Sequence, residues 1–188
     1  MSLVCDGHLG GFIQGGDPDT YDPGVWKDLV DTLKPKTMLD IGCGEGHAVK
    51  WFLDNNIESC GVDGSSKTLI GSHVKDRIFI HDFTQGRFVL DSLLKPDLIW
   101  SCEFLEHVEE RYQDNYMKLF ASADKVALTY SEPQWSDGGH HHVNCQPQEY
   151  WNYVFSKYGF SWSEDYSMHL RSIASARWVK PTVSVYVK

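Results

Sequence analysis

A glycine-rich turn between Asp40 and Gly46 carries the strongest chemical signal in this sequence. The turn reads D-I-G-C-G-E-G and lies between a short apolar run and a segment with helical apolar spacing. A strand, a glycine turn and a helix in this order can hold a nucleotide-like ligand against the backbone. The third glycine comes one residue too early for the dinucleotide pattern G-x-G-x-x-G. Asp40 and Glu45 would also repel a pyrophosphate, so the turn favours a ligand with a cationic end.

Acidic residues also follow the next two predicted strands. Asp63 comes 21 residues after Gly42, and a carboxylate at that spacing can accept hydrogen bonds from ribose hydroxyls. Asp82 and Phe83 close the third predicted strand. Because the carboxyl ends of parallel strands meet at one edge of a sheet, we expect these residues to lie beside the glycine turn.

A second cluster of polar residues, Glu103, Glu106 and His107, follows the fourth predicted strand as Glu-x-x-Glu-His. At the head of a helix, this spacing places both carboxylates on one face with the imidazole beside them. His140–His142 follow the fifth strand and therefore share the same edge of the sheet. Two carboxylates and imidazoles can form part of a divalent-metal site. In the alternative interpretation, a carboxylate here only caps the helix or favours its N-terminal dipole.

The ordered set of strand-end residues resembles the class I S-adenosylmethionine-dependent methyltransferases over roughly residues 36–130, and the glycine turn resembles their motif I. The resemblance implies a Rossmann-like fold and a cofactor whose ammonium and sulfonium groups suit the acidic turn. It also implies that Asp82 meets the adenine amino group and that Phe83 packs against the ring. The implied cofactor-binding residues are Asp40, Gly42, Gly44, Gly46, Asp63, Gly64, Ser65, Asp82, Phe83 and Cys102.

The Glu-x-x-Glu-His segment resembles two groups of metal-dependent O-methyltransferases. One methylates the 2′-hydroxyl at small-RNA 3′ ends and the other acts in ubiquinone biosynthesis; both have a later histidine shortly before a helix. The resemblance implies a divalent metal on Glu103, Glu106, His107 and His141, with His141 preferred for its distance from the helix at Pro147. Without a metal, His107 or a histidine of the 140–142 cluster, such as His141 or His142, would act as the general base.

These residues require an alternating α/β fold to position them. The patterns predict strands at 37–42, 57–63, 77–81, 97–102, 125–130, 160–162 and 183–188, and helices at 22–33, 48–55, 64–71, 107–122 and 147–159. The expected fold is a mostly parallel seven-stranded sheet with helices on both faces. Residues 164–180 show no clear pattern, and the glycine-rich residues 5–20 predict an irregular arm or a lid over the site.

The length of 188 residues favours a single domain, with an arm at 1–20, a cofactor-binding core at 36–130 and an acceptor side at 131–188. Aromatic residues make up 13% of the chain and include seven Trp, which predicts clefts with aromatic walls. The net charge of −9 disfavours a general nucleic-acid binder, although a local basic patch of Lys157, Arg171, Arg177 and Lys180 would favour an RNA acceptor. Five cysteines without a C-x-x-C motif indicate reduced thiols in a cytoplasmic protein, and the apolar runs predict no membrane span.

The function predicted from these residues is S-adenosylmethionine-dependent O-methylation of a small hydroxylated acceptor, such as a sugar or polyol. A small-RNA 3′ end is the alternative acceptor, and an N-methyltransferase remains open because the glycine turn does not determine the acceptor atom. A nicotinamide-linked dehydrogenase is disfavoured by the glycine spacing and by the acids in the turn. A binding module without turnover is the non-enzymatic alternative, against which the polar rim of carboxylates and histidines argues.

Overall fold

A computed structural model describes residues 2–90, 95–136 and 138–188; Met1, residues 91–94 and Asp137 lie outside the described part. Most of the strands and helices of the sheet lie where the sequence patterns predict them. The strands are β1 (Leu3–Cys5), β2 (Gly11–Ile13), β3 (Thr37–Ile41), β4 (Glu58–Asp63), β5 (Ile78–Ile80), β6 (Leu98–Ser101), β7 (Lys125–Leu128), β8 (Ser161–Trp162) and β9 (Ser184–Val187). The α-helices are α1 (Pro23–Leu33), α2 (His47–Asp54), α3 (Thr68–Gly71), α4 (Gln113–Phe120), α5 (Gln148–Ser156) and α6 (Glu164–Ile173).

Seven of these strands form one sheet in the order β5-β4-β3-β6-β7-β9-β8. The pairs from β5 to β7 are parallel, whereas β9 is antiparallel to both of its neighbours. The predicted fold, a mostly parallel seven-stranded sheet covered by helices, is therefore confirmed. The carboxyl ends of β3, β4, β5, β6 and β7 meet at one edge, where ligands bind in sheets of this kind.

The core lies on both faces of the sheet, which explains the uniformly apolar sequence of the central strand β6. Ile99 packs in the cluster that contains the buried residues of α4 and α5. Its neighbours Leu98 and Trp100 pack in the cluster of α1 and α6, because successive side chains of a strand point to opposite faces. Asp22 caps α1 by accepting the Val25 N–H at 3.2 Å.

Three segments differ from their predictions. The helix predicted at 107–122 is broken into two 3₁₀ turns, Leu105–His107 and Glu110–Tyr112, followed by α4, because the backbone is extended at Val108. Pro147 is the N-cap of α5 rather than its first residue, and α5 ends at Ser156, before the predicted end at Gly159. The unpatterned residues 164–180 contain the helix α6.

The N-terminal arm is also more regular than its composition indicates. β1 and β2 form an antiparallel hairpin, and the connecting residues include the 3₁₀ turn Gly7–Leu9. Gly7 and Gly10 adopt φ angles of +58° and +77°, which glycine adopts at little cost, so the glycines close a turn instead of leaving the segment irregular.

All five cysteines are free thiols, as the sequence predicts. Within residues 2–90, 95–136 and 138–188, none of the helices has the length and apolarity that a bilayer crossing demands.

Candidate active site

The glycine turn lies between β3 and α2 and depends on glycine at three positions. Gly42, Gly44 and Gly46 have φ angles of +76°, +53° and +79°, in the region that side chains with a Cβ rarely adopt. A Cβ on Gly42 would also lie only 2.8 Å from the Phe104 side chain. The turn therefore brings the backbone close to the sheet edge and leaves space in front of it.

Asp63 at the end of β4 holds the turn from the neighbouring strand. Its Oδ2 accepts the Gly44 N–H at 2.8 Å, and its Oδ1 accepts the Ser65 N–H at 2.9 Å. Burial raises the pKa of the Asp63 carboxyl. Because each carboxylate oxygen has a further lone pair, Asp63 can still accept hydrogen bonds from two hydroxyl groups.

The two acids of the turn lie in different surroundings. Asp40 is buried, and both burial and the charge of Asp63 raise the pKa of its carboxyl well above the ordinary value. Glu45 accepts the Gly15 N–H at 2.9 Å, and its Oε2 lies 3.4 Å from His47 Nε2. A cationic ligand would relieve the unfavourable burial of Asp40, whereas Glu45 already has an imidazole and an N–H beside it.

Two adjoining cavities, of about 70 and 730 Å³, occupy the sheet edge in front of these residues. The larger volume lies in the range of small-molecule sites, roughly 300–1,000 Å³. Both cavities are lined by Gly11, Gly42, Asp63, Glu103 and His107. Two cavities with a shared wall provide room for a cofactor and for an acceptor next to it.

Most of the predicted cofactor-binding residues lie at these cavities. Asp40, Gly42, Gly44, Asp63 and Cys102 line the larger cavity, and Gly64, Asp82 and Phe83 line the smaller one. Gly46 and Ser65 line neither. Gly46 faces Val74, and the Ser65 hydroxyl donates a hydrogen bond to Asp6. These two residues support the turn and the arm, and their contact with a cofactor remains a prediction.

Glu103 is held at the shared wall by a strained backbone and two hydroxyl groups. Its φ is +49°, which is uncommon for a residue with a side chain. The hydroxyls of Thr129 and Ser131 donate to its two carboxylate oxygens at 2.9 and 2.8 Å. Burial, and then the charge of Glu106, raise the pKa of Glu103 well above its usual value. The two carboxylates thus lie together as predicted, but through a left-handed residue and a 3₁₀ turn instead of one helical face.

Glu106 is completely buried, and no donor lies in hydrogen-bonding geometry to either of its carboxylate oxygens within the described residues, although Ser131 and the Glu103 carboxyl lie beside it. Burial raises the pKa of this carboxyl as well. Ligand atoms of Glu106, His107 and His142 lie within 4.8 Å of one another. A buried carboxylate without a partner needs either a proton or a cation, and two imidazoles supply the remaining ligands that a divalent metal prefers.

The histidine loop is fixed to this cluster through its backbone. The N–H groups of Val143 and Asn144 both donate to the Glu106 carbonyl, at 2.9 and 3.0 Å. The His142 Nδ1 lies 3.0 Å from the Trp135 carbonyl, and a hydrogen bond there leaves Nε2 as the remaining ring nitrogen. The loop therefore brings the imidazole of His142, and not that of His141, to Glu106 and His107.

His141 has φ +57°, lines neither cavity and does not join the group of possible ligand atoms. Its backbone carbonyl lies 3.3 Å from His107 Nδ1. The preference for His141 as a ligand or base is therefore not supported by this geometry. Burial and the neighbouring His142 lower the pKa of His107 to about 4, so that this imidazole is neutral near pH 7.

A family profile described as a methyltransferase domain matches residues 39–123, which extend from the glycine turn to the end of α4. Residues 39–123 belong to a methyltransferase domain of the class I S-adenosylmethionine-dependent type. The match supports the predicted cofactor, S-adenosylmethionine, and decides against the dehydrogenase alternative. No protein with a curated description matches the methyltransferase.

Solved structures agree with this fold. A TehB-like S-adenosylmethionine-dependent methyltransferase from Corynebacterium glutamicum has a TM-score of 0.63 at 15% identity, covering 93% of this chain and 90% of the other. The methyltransferase domain of bacterial CtHen1 gives a TM-score of 0.59 at 18% identity, covering 88% and 96%. A DhpI–SAM–HEP complex gives 0.55 at 14% identity, covering 75% and 78%. At these identities the likeness establishes the fold alone.

The N-terminal arm of the methyltransferase lies across both cavities. His8 Nε2 is 2.9 Å from Asp82 Oδ2, the carboxylate predicted to meet adenine. A Cβ on Gly10 would lie 2.9 Å from His107 Nδ1, so the arm passes directly over that ring. Gly15 is bound to Glu45 as described above. These contacts agree with the lid interpretation of residues 5–20, which remains a prediction.

Sequence reasoning missed several residues that line the larger cavity. His47 follows the glycine turn directly, and its Nε2 is buried without a hydrogen-bond partner in the described part of the chain. The aromatic lining residues are Phe12, Tyr21, Trp26, Trp100, Trp135 and Trp178. The high Trp content predicts an aromatic cleft, and the structure contains one, but composition could not identify which rings form it.

Proposed function

We propose that this methyltransferase transfers the methyl group of S-adenosylmethionine to a hydroxyl of a small acceptor, such as a sugar or polyol, next to a divalent cation. Glu106, His107 and His142 would hold the cation, and Glu103 adjoins them. The observation that carries the proposal is the fully buried Glu106 carboxylate, which has no hydrogen-bond partner among the described residues and lies beside two imidazoles.

The donor set fits a divalent metal such as Mg²⁺, Mn²⁺ or Zn²⁺, because it combines carboxylate oxygens with neutral imidazole nitrogens. The Trp135 carbonyl would fix the ring orientation of His142, as backbone carbonyls commonly do for histidine ligands. Thr129 and Ser131 orient Glu103 in the same way. When bound, the cation would lower the pKa of the acceptor hydroxyl and orient it.

The chain itself mainly has to position two reactants. The Asp63 carboxylate would hold the ribose and the glycine turn would hold the methionyl part of the cofactor, with Asp40 offering negative charge to its cationic end. Holding the reactants in line supplies a large part of the rate enhancement in such displacements. If no cation is present, the imidazole of His107 or that of His142 would accept the hydroxyl proton.

We infer a division of the chain that follows this geometry. Residues 36–130 supply the glycine turn and the strand-end acids, and residues 131–188 supply Ser131, Trp135, His142 and Trp178 on the acceptor side of the larger cavity. Residues 11–21 of the arm supply the remaining wall. The arrangement supports one methyltransferase domain in which the arm covers the reactants.

An RNA 3′ end is less well supported as an acceptor. None of the four basic residues considered from the sequence, Lys157, Arg171, Arg177 and Lys180, lines either cavity. Arg171 is occupied by the Val183 carbonyl and by Gln148, at 3.0 and 2.6 Å. A terminal nucleotide would therefore find no basic side chain for its phosphate among the described residues that line the cavities.

The test is methyl transfer from labelled S-adenosylmethionine to sugars, polyols, amines and an RNA 3′ end, with chelator and after Mg²⁺, Mn²⁺ or Zn²⁺ is added back. We expect hydroxyl methylation that chelator abolishes and metal restores, and that is lost in Glu106→Ala but kept in the exposed control Glu149→Ala. Activity unaffected by chelator and by Glu106→Ala would exclude the metal. Methylated amines would indicate an N-methyltransferase, and cofactor binding without any product would indicate a module without turnover.

A further inference from the structure

Two indole rings form one wall of the larger cavity. Neither the predicted cofactor-binding residues nor the carboxylate–histidine cluster includes them. Trp135 and Trp178, here called the indole wall, lie with their ring centroids 5.7 Å apart and their planes at 78°. Trp135 is 40% exposed, which is unusual for so large an apolar side chain. Exposed aromatic surface inside a cavity commonly marks the place where a ligand packs.

The indole wall is fixed next to the reactive groups. The Trp135 carbonyl is the hydrogen-bond partner of the His142 ring, so this tryptophan adjoins the proposed metal ligand directly. The backbone N–H of Trp178 donates to the Asp19 carbonyl at 2.9 Å, which joins the wall to the arm. A ring packed on the wall would therefore lie close to His142 and beneath the arm.

The charge of the cavity restricts what can pack there. The acids that line the larger cavity are Asp17, Asp40, Glu45, Asp63 and Glu103, and no Lys or Arg lines either cavity in the described residues. The guanidinium carbon of Arg177 lies 4.3 Å from the Trp178 ring centroid, but Arg177 is outside the lining. An acceptor whose hydroxyl faces the proposed cation would hold a phosphate or carboxylate at its far end away from that cation, where the anion would lose hydration and find no basic lining side chain.

We propose that the acceptor is a hydroxylated aromatic ring, neutral or cationic, that packs on the indole wall with its hydroxyl toward Glu103, His107 and His142. This inference rests on the proposed function and narrows its acceptor class. Aromatic packing supplies affinity without a charge partner, and a cationic substituent gains further from the indole faces and from the lining acids. The acidic lining disfavours acceptors that carry a phosphate or carboxylate away from the proposed cation.

The experiment compares catechol, dopamine and protocatechuate, which share one dihydroxylated ring and differ in charge, with myo-inositol and a short RNA. Binding to protein saturated with S-adenosylhomocysteine is measured by calorimetry, and turnover is measured separately. We expect catechol and dopamine to bind at least about tenfold more tightly than protocatechuate, inositol or RNA, since one buried charge or one ring stack is worth roughly that factor.

Variants of the wall give the second arm. We expect Trp178→Ala to raise the acceptor KM about 5- to 10-fold, as expected for the loss of one aromatic contact, with the KM for S-adenosylmethionine unchanged within a factor of about two. Trp178→Phe should recover most of the loss, and Tyr153→Ala, which removes an exposed ring outside the cavities, should change neither KM. The rescue by Phe separates loss of packing from failure to fold.

The two proposals fail in different ways. Equal or better binding of protocatechuate, inositol or RNA, or an acceptor KM unchanged in Trp178→Ala, would overturn the aromatic acceptor while leaving O-methylation intact. Trp178-dependent binding of catechol without any methyl transfer would support the indole wall as a binding site and overturn the proposed function.

Discussion

Replacing Glu106 by Gln separates the structural cost of this carboxylate from its proposed role as a metal ligand. Glu106 is 0% exposed, and both of its oxygens are without hydrogen-bond partners in the described part of the chain. Gln keeps the shape of the side chain but cannot ionise, so the metal-free protein no longer bears the cost of burying the charge or of taking up a proton at pH 7, and it should become more stable. The amide is still a buried polar group, so only the extra cost of the carboxyl is removed. Since each unit by which the pKa is raised corresponds to about 1.4 kcal/mol, we expect a gain of about 1–3 kcal/mol in the free energy of unfolding.

This gain converts into a measurable shift. For a chain of this size, 1 kcal/mol changes the melting temperature by about 2–4 °C, so Glu106→Gln should melt about 2–12 °C above the wild type in the presence of chelator. A metal at about one hundred times its Kd would stabilise the wild type by about 2.7 kcal/mol, or about 5–11 °C. The variant should show little of this second shift, because an amide is a poor substitute for the carboxylate ligand.

The assay is thermal unfolding of wild type, Glu106→Gln and the exposed control Glu149→Gln, each with chelator and with Mn²⁺. The variant should melt above the wild type in chelator, and Mn²⁺ should close or reverse that difference by raising the melting temperature of the wild type alone. A variant that melts below the wild type in chelator would refute the description of Glu106 as an uncompensated buried group. An equal metal-induced shift in wild type and variant would place the metal elsewhere.

Three further changes test other parts of the structure. Asp63→Asn should weaken binding of S-adenosylhomocysteine about 10- to 100-fold in calorimetry, since a hydrogen bond to a charged group contributes about 1.5–3 kcal/mol; unchanged affinity would contradict its place at the ribose. Asp22→Ala removes the cap of α1 and the acceptor of the Ser175 and Ala176 N–H groups. The free energy of unfolding measured in urea should therefore fall by about 2–4 kcal/mol. A loss below about 0.5 kcal/mol would contradict this role. Burial raises the pKa values of the Cys43 and Cys102 thiols well above their ordinary value, so both should stay protonated at pH 8. Peptide mapping should therefore show that both react far more slowly with iodoacetamide than the exposed Cys5.

The parts of the site that could be predicted from sequence are those that lie at the end of a strand. The glycine turn, Asp63 and Asp82 each lie at or just after the end of a parallel strand, so the order of the strands was enough to bring them to one edge. The pairing of Glu103 with Glu106 was also predicted, although through a helix that does not form. Their proximity instead results from the positive φ of Glu103, which no residue pattern indicates.

The parts that could not be predicted depend on contacts between distant segments. The His142 ring, rather than the His141 ring, lies beside Glu106 and His107 because two N–H groups of the loop bond to the Glu106 carbonyl and because the chain turns at His141. Adjacent histidines are chemically equivalent in a sequence, so spacing alone could not separate them. Trp178 reaches the cavity after the unpatterned segment 164–180, and its position depends on its bond to Asp19 in the arm.

The most direct measurement is a crystal structure of this protein with S-adenosylhomocysteine and Mn²⁺, with anomalous diffraction used to locate the metal. We predict one anomalous peak bounded by Glu106, His107 and His142, with the cofactor ribose on the Asp63 carboxylate and the sulfur facing the cluster across the larger cavity. A cofactor bound away from Asp63, or a fully soaked crystal without a peak between Glu106 and the two histidines, would contradict the account.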